Sequence, residues 1–258
     1  MNQQKPMTAE EDTYGQEIMV FHNGREACEI VERDDGYIAC AMEVGAYFSR
    51  YEDWTSIEQK AIKYVKGKVL DVGCGAGRHA LYLQKKGFDV RGIDVSPLAI
   101  EVCKQRGLKK AEVTSIEDTD FPPNSIDTII MMGNNFGLFG SFEKARRLLR
   151  RFHTMTSAKA LIVASTRDPY KTENPDHLQY HNLNKKKGRM GGQVRIRIRF
   201  GKNAGRWFDY LMVSQAEMKK ILLDTGWKVK EFLETEDANY FAIIEKLNPL
   251  LTPSRGKT

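Results

Sequence analysis

The stretch Val69-Leu70-Asp71-Val72-Gly73-Cys74-Gly75-Ala76-Gly77 decides the fold. Its β-branched and aliphatic opening, from Lys68 to Val72, predicts a buried strand. Gly73, Gly75 and Gly77 then strip side chains from a tight turn, so that backbone can approach a ligand closely. Arg78 to Lys86 predicts a helix closed by Gly87. Strand, glycine loop and helix in that order present backbone N–H groups and a positive helix end to a ligand. Two acids sharpen the reading. Asp71 lies inside the apolar strand, where an unpaired carboxylate is costly to bury. Asp94 ends a second strand, Phe88 to Ile93, where doubly wound folds hydrogen-bond the hydroxyls of a ribose. The spacing is GxGxG rather than GxGxxG, which weighs against a nicotinamide or flavin dinucleotide.

Outward from this stretch, strand and helix alternate as a parallel sheet requires. Ser96-Pro97 opens a helix that ends at Gly107. Ala111 to Ile116 predicts a third strand, Ile126 to Met132 a fourth and Ala160 to Ser165 a fifth, with a helix over Lys144 to Arg151 before the last. Ser214-x-x-Glu217 is a capping box for a further helix. Trp227 to Leu233 and Tyr240 to Lys246, joined by a short polar turn, predict an antiparallel pair.

VLDVGCGAGRHALYL followed by VRGIDVSPLAIEVCK resembles the first two motifs of the class I S-adenosylmethionine-dependent methyltransferase family. The resemblance covers residues 67–165 well and the C-terminal part more loosely. It implies an α/β, Rossmann-like doubly wound seven-stranded sheet, mostly parallel with an antiparallel C-terminal hairpin. It also implies S-adenosyl-L-methionine as cofactor. Carried over position by position, the loop of Gly73, Cys74, Gly75 and Gly77 would underlie the methionine part. Asp71 would help to hold its ammonium group, Asp94 would take the ribose hydroxyls, and Val95 would lie against the adenine. Ser115 stands where the family places an acid, which leaves the adenine contact to Ile116 backbone or to Glu117. Gly133, Asn134 and Asn135 follow the fourth strand, near the expected methyl position.

Composition fits one catalytic unit. The 258 residues are 41% hydrophobic, ordinary for a globular chain, and no apolar run is long enough to span a membrane. The N-terminal MNQQKPMTAEEDTYGQE has neither a signal peptide's apolar stretch nor an Arg-rich leader. Cys28, Cys40, Cys74 and Cys103 show no CxxC pair and no metal-ligand spacing. Read as four thiols, they predict no metal and a cytoplasmic location.

The net charge of +6 raises nucleic acid as a partner. Lys144, Arg146, Arg147, Arg150 and Arg151 read as a solvated helix face, and Lys185, Lys186, Lys187 and Arg189 sit in a polar, glycine-bearing loop. Arg195, Arg197 and Arg199 alternate with apolar residues, so one face of a strand is cationic. Such a row repels itself unless acids or an anionic ligand lie opposite.

Two segments stand outside the alternating core. In residues 1–66, Glu17 to Phe21 and Glu26 to Glu32 around Asn23-Gly24 predict a hairpin. Asp34-Asp35-Gly36 predicts a second turn, and helical pieces are expected over 44–53 and 56–66. The segment is expected to pack on the sheet edge or ligand mouth of a catalytic domain at 67–247, with 248–258 a tail. Residues 166–213 form an insertion beyond the carboxyl end of the fifth strand, expected to cover an acceptor site.

A sulfonium methyl group is already activated, so alignment and desolvation of the nucleophile carry much of the chemistry. Asn134 can orient an acceptor, and Tyr180 and His181 (with His177) are candidate bases in the insertion. Asn135, Tyr47, Arg195 and Arg199 are candidate acceptor contacts, and Tyr51 and Trp54 could extend an aromatic wall. No Asn-Pro-Pro-Tyr-like motif follows the fourth strand, no Pro-Cys pair offers a covalent nucleophile, and no RNA-binding module is appended. These features favour a small-molecule acceptor over RNA or protein, and the face of Arg195, Arg197 and Arg199 points to an anionic one. A non-catalytic S-adenosylmethionine-binding protein is the remaining alternative. Oligomeric state is not legible.

Overall fold

A computed structural model describes residues 7–234 and 236–247. The expected tail at 248–258 lies outside them. In chain order the elements are α1 (Thr13–His22), β1 (Cys28–Arg33), β2 (Ile38–Glu43), α2 (Ser56–Ile62), β3 (Lys68–Val72), α3 (Arg78–Lys85), β4 (Asp89–Asp94), α4 (Pro97–Gln105), β5 (Ala111–Val113) and β6 (Ile126–Met131). There follow α5 (Phe142–Met155), β7 (Thr156–Arg167), α6 (Pro175–Lys186), β8 (Gln193–Phe200), β9 (Asn203–Ala204), β10 (Phe208–Leu211), α7 (Gln215–Leu222), β11 (Trp227–Glu234) and β12 (Asn239–Lys246).

The main sheet has seven strands in the order β11-β12-β7-β6-β3-β4-β5. Pairing is parallel from β7 to β5, and β12 runs antiparallel to both β7 and β11. Alternate residues feed opposite faces, as the period of two demands. Leu70, Ile129 and Ile162 meet Leu148, Leu149 and Phe152 of α5 and Ile221 of α7 on one side. Val69, Ile130 and Val163 meet Ala61 of α2, Leu83 of α3 and Ile100 of α4 on the other. The strand order reverses at β3, with β4 on one flank and β6 on the other, which places the glycine loop at the switch point where such sheets bind ligands.

The N-terminal segment departs from expectation. Thr13–His22 is helical, not the first strand of a hairpin. Asn23-Gly24 stops that helix: Gly24 has φ +84°, its N–H donates to Phe21 O, and Arg25 N–H reaches back to Val20 O at 3.2 Å. This Schellman arrangement uses the same left-handed glycine that a hairpin turn needs. The stripe Tyr14, Glu17, Ile18 and Phe21 carries the helical period that the turn signal masks. The Asp34-Asp35-Gly36 turn does join two strands, β1 and β2.

A second sheet forms in the order β10-β8-β1-β2, with β9 on β8. It unites the N-terminal hairpin with the strands of the insertion through the β1–β8 ladder, Ile30↔Arg199 to Arg33↔Ile196. Cys28 and Cys40 are disulfide-bonded across β1 and β2 (Cα–Cα 6.2 Å), which corrects the reading of four free thiols. Cys74 and Cys103 are buried thiols, so with one pair bonded and one pair free the cysteines no longer argue for a cytoplasmic location. Among the described residues no helix is long and apolar enough to cross a membrane.

Candidate functional site

Gly73, Gly75 and Gly77 all adopt left-handed backbone, with φ of +71°, +53° and +79°. An L side chain at any of them would be strained, and at Gly73 a Cβ would lie 2.6 Å from Asn135 Nδ2. The loop is anchored at its start, where Gly73 and Cys74 N–H donate to Ile93 O at 2.9 and 3.0 Å. Asn135 braces it from the turn after β6, donating to Val72 O at 3.0 Å and Gly73 O at 2.7 Å.

Two buried acids flank the loop. Asp94 Oδ2 accepts from Gly75 N–H at 2.9 Å and Oδ1 from Ser96 N–H at 3.0 Å. Each oxygen keeps a further lone pair with which to accept a sugar hydroxyl. Burial raises the Asp94 pKa, and these N–H donors oppose the rise. Asp71 is 2% exposed, and its Oδ2 has no hydrogen-bond partner among the described residues. Burial, then the charge of Asp94, pushes the Asp71 pKa up to about 7. A buried carboxylate oxygen left without a donor is costly unless a ligand supplies one. Val95, beside Asp94, exposes 49% of its surface, as an apolar platform for a flat ring would.

The predicted adenine edge is differently arranged. Ser115 Oγ donates to Asp118 at 2.8 Å and accepts from the N–H groups of Glu117 and Asp118, a self-contained turn. Glu117 is drawn away to α5, where Lys144 Nζ sits 2.5 Å and Arg147 Nη2 3.1 Å from its carboxylate. Ile116 packs its side chain against the core below. The basic face of α5 has internal work besides: Arg146 and Arg150 donate to Ile221 O and Asp224 O at the end of α7.

On the acceptor side, Gly133 (φ +67°) faces open space. Asn134, also left-handed, is held by its backbone: its N–H donates to Ser165 Oγ at 2.8 Å and its carbonyl accepts from Tyr210 Oη at 2.5 Å. Its side-chain amide has no protein partner among the described residues, whereas both Asn135 amide protons are committed to the loop. Tyr47 lies within 4.0 Å of the position a Gly75 Cβ would take. Sequence reasoning missed Tyr14, Glu17, Glu29 and Tyr210. A Cβ at Gly75 would collide with the Tyr14 hydroxyl, and one at Gly137 with the Tyr210 ring. The acid Glu17 within the apolar stripe of α1 was the available signal; Tyr210 had none, because only the second sheet carries it to the turn after β6.

Other candidates fall elsewhere. Tyr180 Oη donates to Asp34 Oδ1 at 2.6 Å, at the β1–β2 turn. Asp34 is five residues along β1 from Glu29, roughly 16 Å. Burial, then Asp34, pushes the Tyr180 pKa up to about 12, so its hydroxyl keeps its proton at neutral pH. His181 packs edge-on to Tyr170, and His177 to Tyr37. Tyr51 and Trp54 pack with Tyr82 on the α3 side. The cationic row is also resolved differently. Arg197 and Arg199 pair with Glu32 at 2.9 and 2.8 Å, and Arg195 with Asp209 at 3.1 Å. Strand register puts this row on the face of Glu32, opposite Glu29. The acids lying opposite are the protein's own, which removes the argument for Arg195 and Arg199 as contacts of an anionic acceptor.

Residues 69–158 match a family model described as a methyltransferase domain. A solved structure of an S-adenosylmethionine-dependent methyltransferase from Bacteroides fragilis, in complex with S-adenosyl-L-homocysteine, superimposes with a TM-score of 0.79 at 27% identity. That match covers 94% of this chain and 98% of the other. Residues 69–158 are thus a methyltransferase domain, on a fold shared with class I S-adenosylmethionine-dependent methyltransferases. Curated relatives match over shorter stretches. A demethylmenaquinone methyltransferase of Tropheryma whipplei (strain Twist) is 28% identical over 44% of this chain and 50% of its own length. A 23S rRNA (uracil(747)-C(5))-methyltransferase of Pyrococcus abyssi is 42% identical over 23% of this chain and 14% of its own. The chain thus spans about half or less of the curated relatives it matches.

Proposed function

We propose that this methyltransferase moves the methyl group of S-adenosyl-L-methionine to a small-molecule acceptor by in-line displacement. One observation carries the cofactor side: a buried, donorless Asp71 oxygen beside three left-handed glycines and the Asp94 carboxylate. An ammonium group would supply the missing donor at Asp71, a ribose would use the free lone pairs of Asp94, and adenine would lie against Val95. When bound, the cofactor supplies an electrophilic methyl on a positive sulfur. What the chain supplies is position and dryness: the braced loop fixes the donor, and the turn at Gly133 and Asn134 orients the incoming nucleophile. The unpartnered Asn134 amide is suited to that orientation, though it cannot take a proton.

A small acceptor is favoured because the basic residues of α5 and β8 are engaged within the fold. Lys144 and Arg147 hold Glu117, and the β8 arginines hold Glu32 and Asp209. The rRNA-methylating relative matches over only 60 residues, 14% of its own length. Calorimetry tests the reading. Wild type should bind S-adenosyl-L-methionine and S-adenosyl-L-homocysteine, and Asp94→Ala should lose about 10- to 100-fold in affinity, as loss of charge-assisted hydrogen bonds predicts. A wild type indifferent to both compounds would end the proposal.

A further inference from the structure

We infer that Glu17 and Glu29 form the acceptor's recognition site, and that the acceptor is a primary or secondary amine whose ammonium group docks between them. The inference rests on the methyl-transfer reading and names its substrate class. Glu17 is completely buried in the middle of α1, and neither of its carboxyl oxygens meets a hydrogen-bond donor among the described residues. What faces it is a second buried carboxyl. Glu29, at the start of β1, is 9% exposed and accepts from Tyr47 Oη at 2.6 Å. Among the described residues no Lys or Arg is ion-paired with either acid.

The pair belongs to the donor's surroundings by contact. Tyr47 touches both Glu29 and the Gly75 loop. Tyr14, edge-on to Tyr47 at 5.5 Å, covers Gly75 itself. Tyr210 faces Glu29 and holds the Asn134 carbonyl. Burial and the neighbouring acids raise the pKa of all three phenols, which therefore stay neutral. The other ionisable groups turned toward this cluster are Asp94 and, at the head of α1, Asp12, both acids. Carboxyls walled by aromatic rings repel an anion and suit an alkylammonium, by Coulomb attraction and by cation–π contact.

Without a ligand the two acids share a proton. Burial, then repulsion from Glu29, lifts the Glu17 pKa to about 9, and burial raises Glu29. A docked ammonium replaces that proton, which leaves to solvent. For transfer, the ammonium passes one proton to Glu29. The nitrogen lone pair then forms the N–C bond as the C–S bond breaks, its electron pair staying on sulfur as a neutral thioether. The product departs as the methylated ammonium, and the proton left on Glu29 restores the pair that shares one proton.

The test is calorimetry on the full chain saturated with S-adenosyl-L-homocysteine, using benzylamine and its neutral analogue benzyl alcohol. Two buffers of different ionisation heat read the proton release. The amine should bind at least about tenfold more tightly than the alcohol, with release of protons. Glu17→Gln and Glu29→Gln should each abolish the release and weaken the amine about tenfold, leaving homocysteine-product affinity within about threefold. Should either variant fail to fold, Tyr47→Phe carries the same comparison, since it keeps the ring and removes the donor to Glu29. Benzylamine that fails to bind, binds no better than the alcohol, or is unaffected by these substitutions overturns the inference. Failure of S-adenosyl-L-homocysteine to bind wild type overturns the methyl-transfer reading instead.

Discussion

Asp71 and Glu17 are costly side chains, and their cost is readable as pH dependence. Asp71 has an ordinary pKa of 3.8 when unfolded and about 7 when folded. Between those values the folded protein keeps a proton that the unfolded chain has lost. Stability therefore falls as pH rises through this window and levels off above it. Each raised unit costs about 1.4 kcal/mol. Asp71→Asn should accordingly melt higher than wild type at pH near 7.5, show little gain near pH 4, and bind S-adenosyl-L-homocysteine more weakly. Thermal melting at the two pH values and one titration check all three. For Glu17 the window runs from 4.5 to about 9, with the same sign. Wild-type stability should thus still decline between pH 7 and 9, where Asp71 is spent, and Glu17→Gln should flatten that part of the curve. A wild-type profile already level from pH 7 to 9 would contradict the buried-pair assignment.

At the scale of elements, α1 is the piece that converts a general cofactor fold into a particular site. Asp12 ties it down three ways. Its Oδ1 caps α1 at Gly15 N–H (2.9 Å), while Oδ2 accepts from Ser96 Oγ (2.9 Å) and from Leu98 N–H (3.0 Å) in the first turn of α4. Ile18 and Val44 complete the clasp by packing with Ala76, Ala99 and Val102. Asp12→Ala should cost about 1 kcal/mol for the lost cap, and more for the α4 donors left unpaired. Amide exchange in α1 should quicken while that of β3 and β6 stays slow; equal effects on both would show that α1 is not a separable clasp. The elements of the core were legible beforehand because each carried its own punctuation: Ser96-Pro97, Ser214-x-x-Glu217 and the apolar runs of β3, β4 and β6. The α1 region was not, because Asn23-Gly24 serves a helix stop and a hairpin turn with one backbone conformation. Local sequence cannot separate those two uses when the flanking residues alternate as plausibly as they spiral.

Taken whole, the molecule is two sheets that meet at the ligand site. The second is assembled from parts more than a hundred residues apart, β1 and β2 from the N-terminal segment and β8 to β10 from the insertion. The Cys28–Cys40 bond closes a 12-residue separation within it. Loop closure of that size is worth about 3 kcal/mol. Cys28→Ser with Cys40→Ser should lower the unfolding free energy read from denaturant titration by about that amount while S-adenosyl-L-homocysteine still binds, since the main sheet does not contain the bond. Unchanged stability under both reducing and non-reducing conditions would count against the bond.

The sequence by itself determined the donor half of this protein. The glycine loop, Asp71 and Asp94 lie within one βαβ unit, and the strands and helices around it announce themselves through local period, caps and turns. The proposed acceptor half follows from packing between distant segments. Only the tertiary structure set Glu17 against Glu29, brought Tyr210 to Asn134, sent Tyr180 and His181 to the far end of β1, and matched the β8 arginines with acids of neighbouring strands. Those contacts depend on strand register and on which helix face is buried, both fixed by packing between distant segments, and no short stretch of chain encodes them.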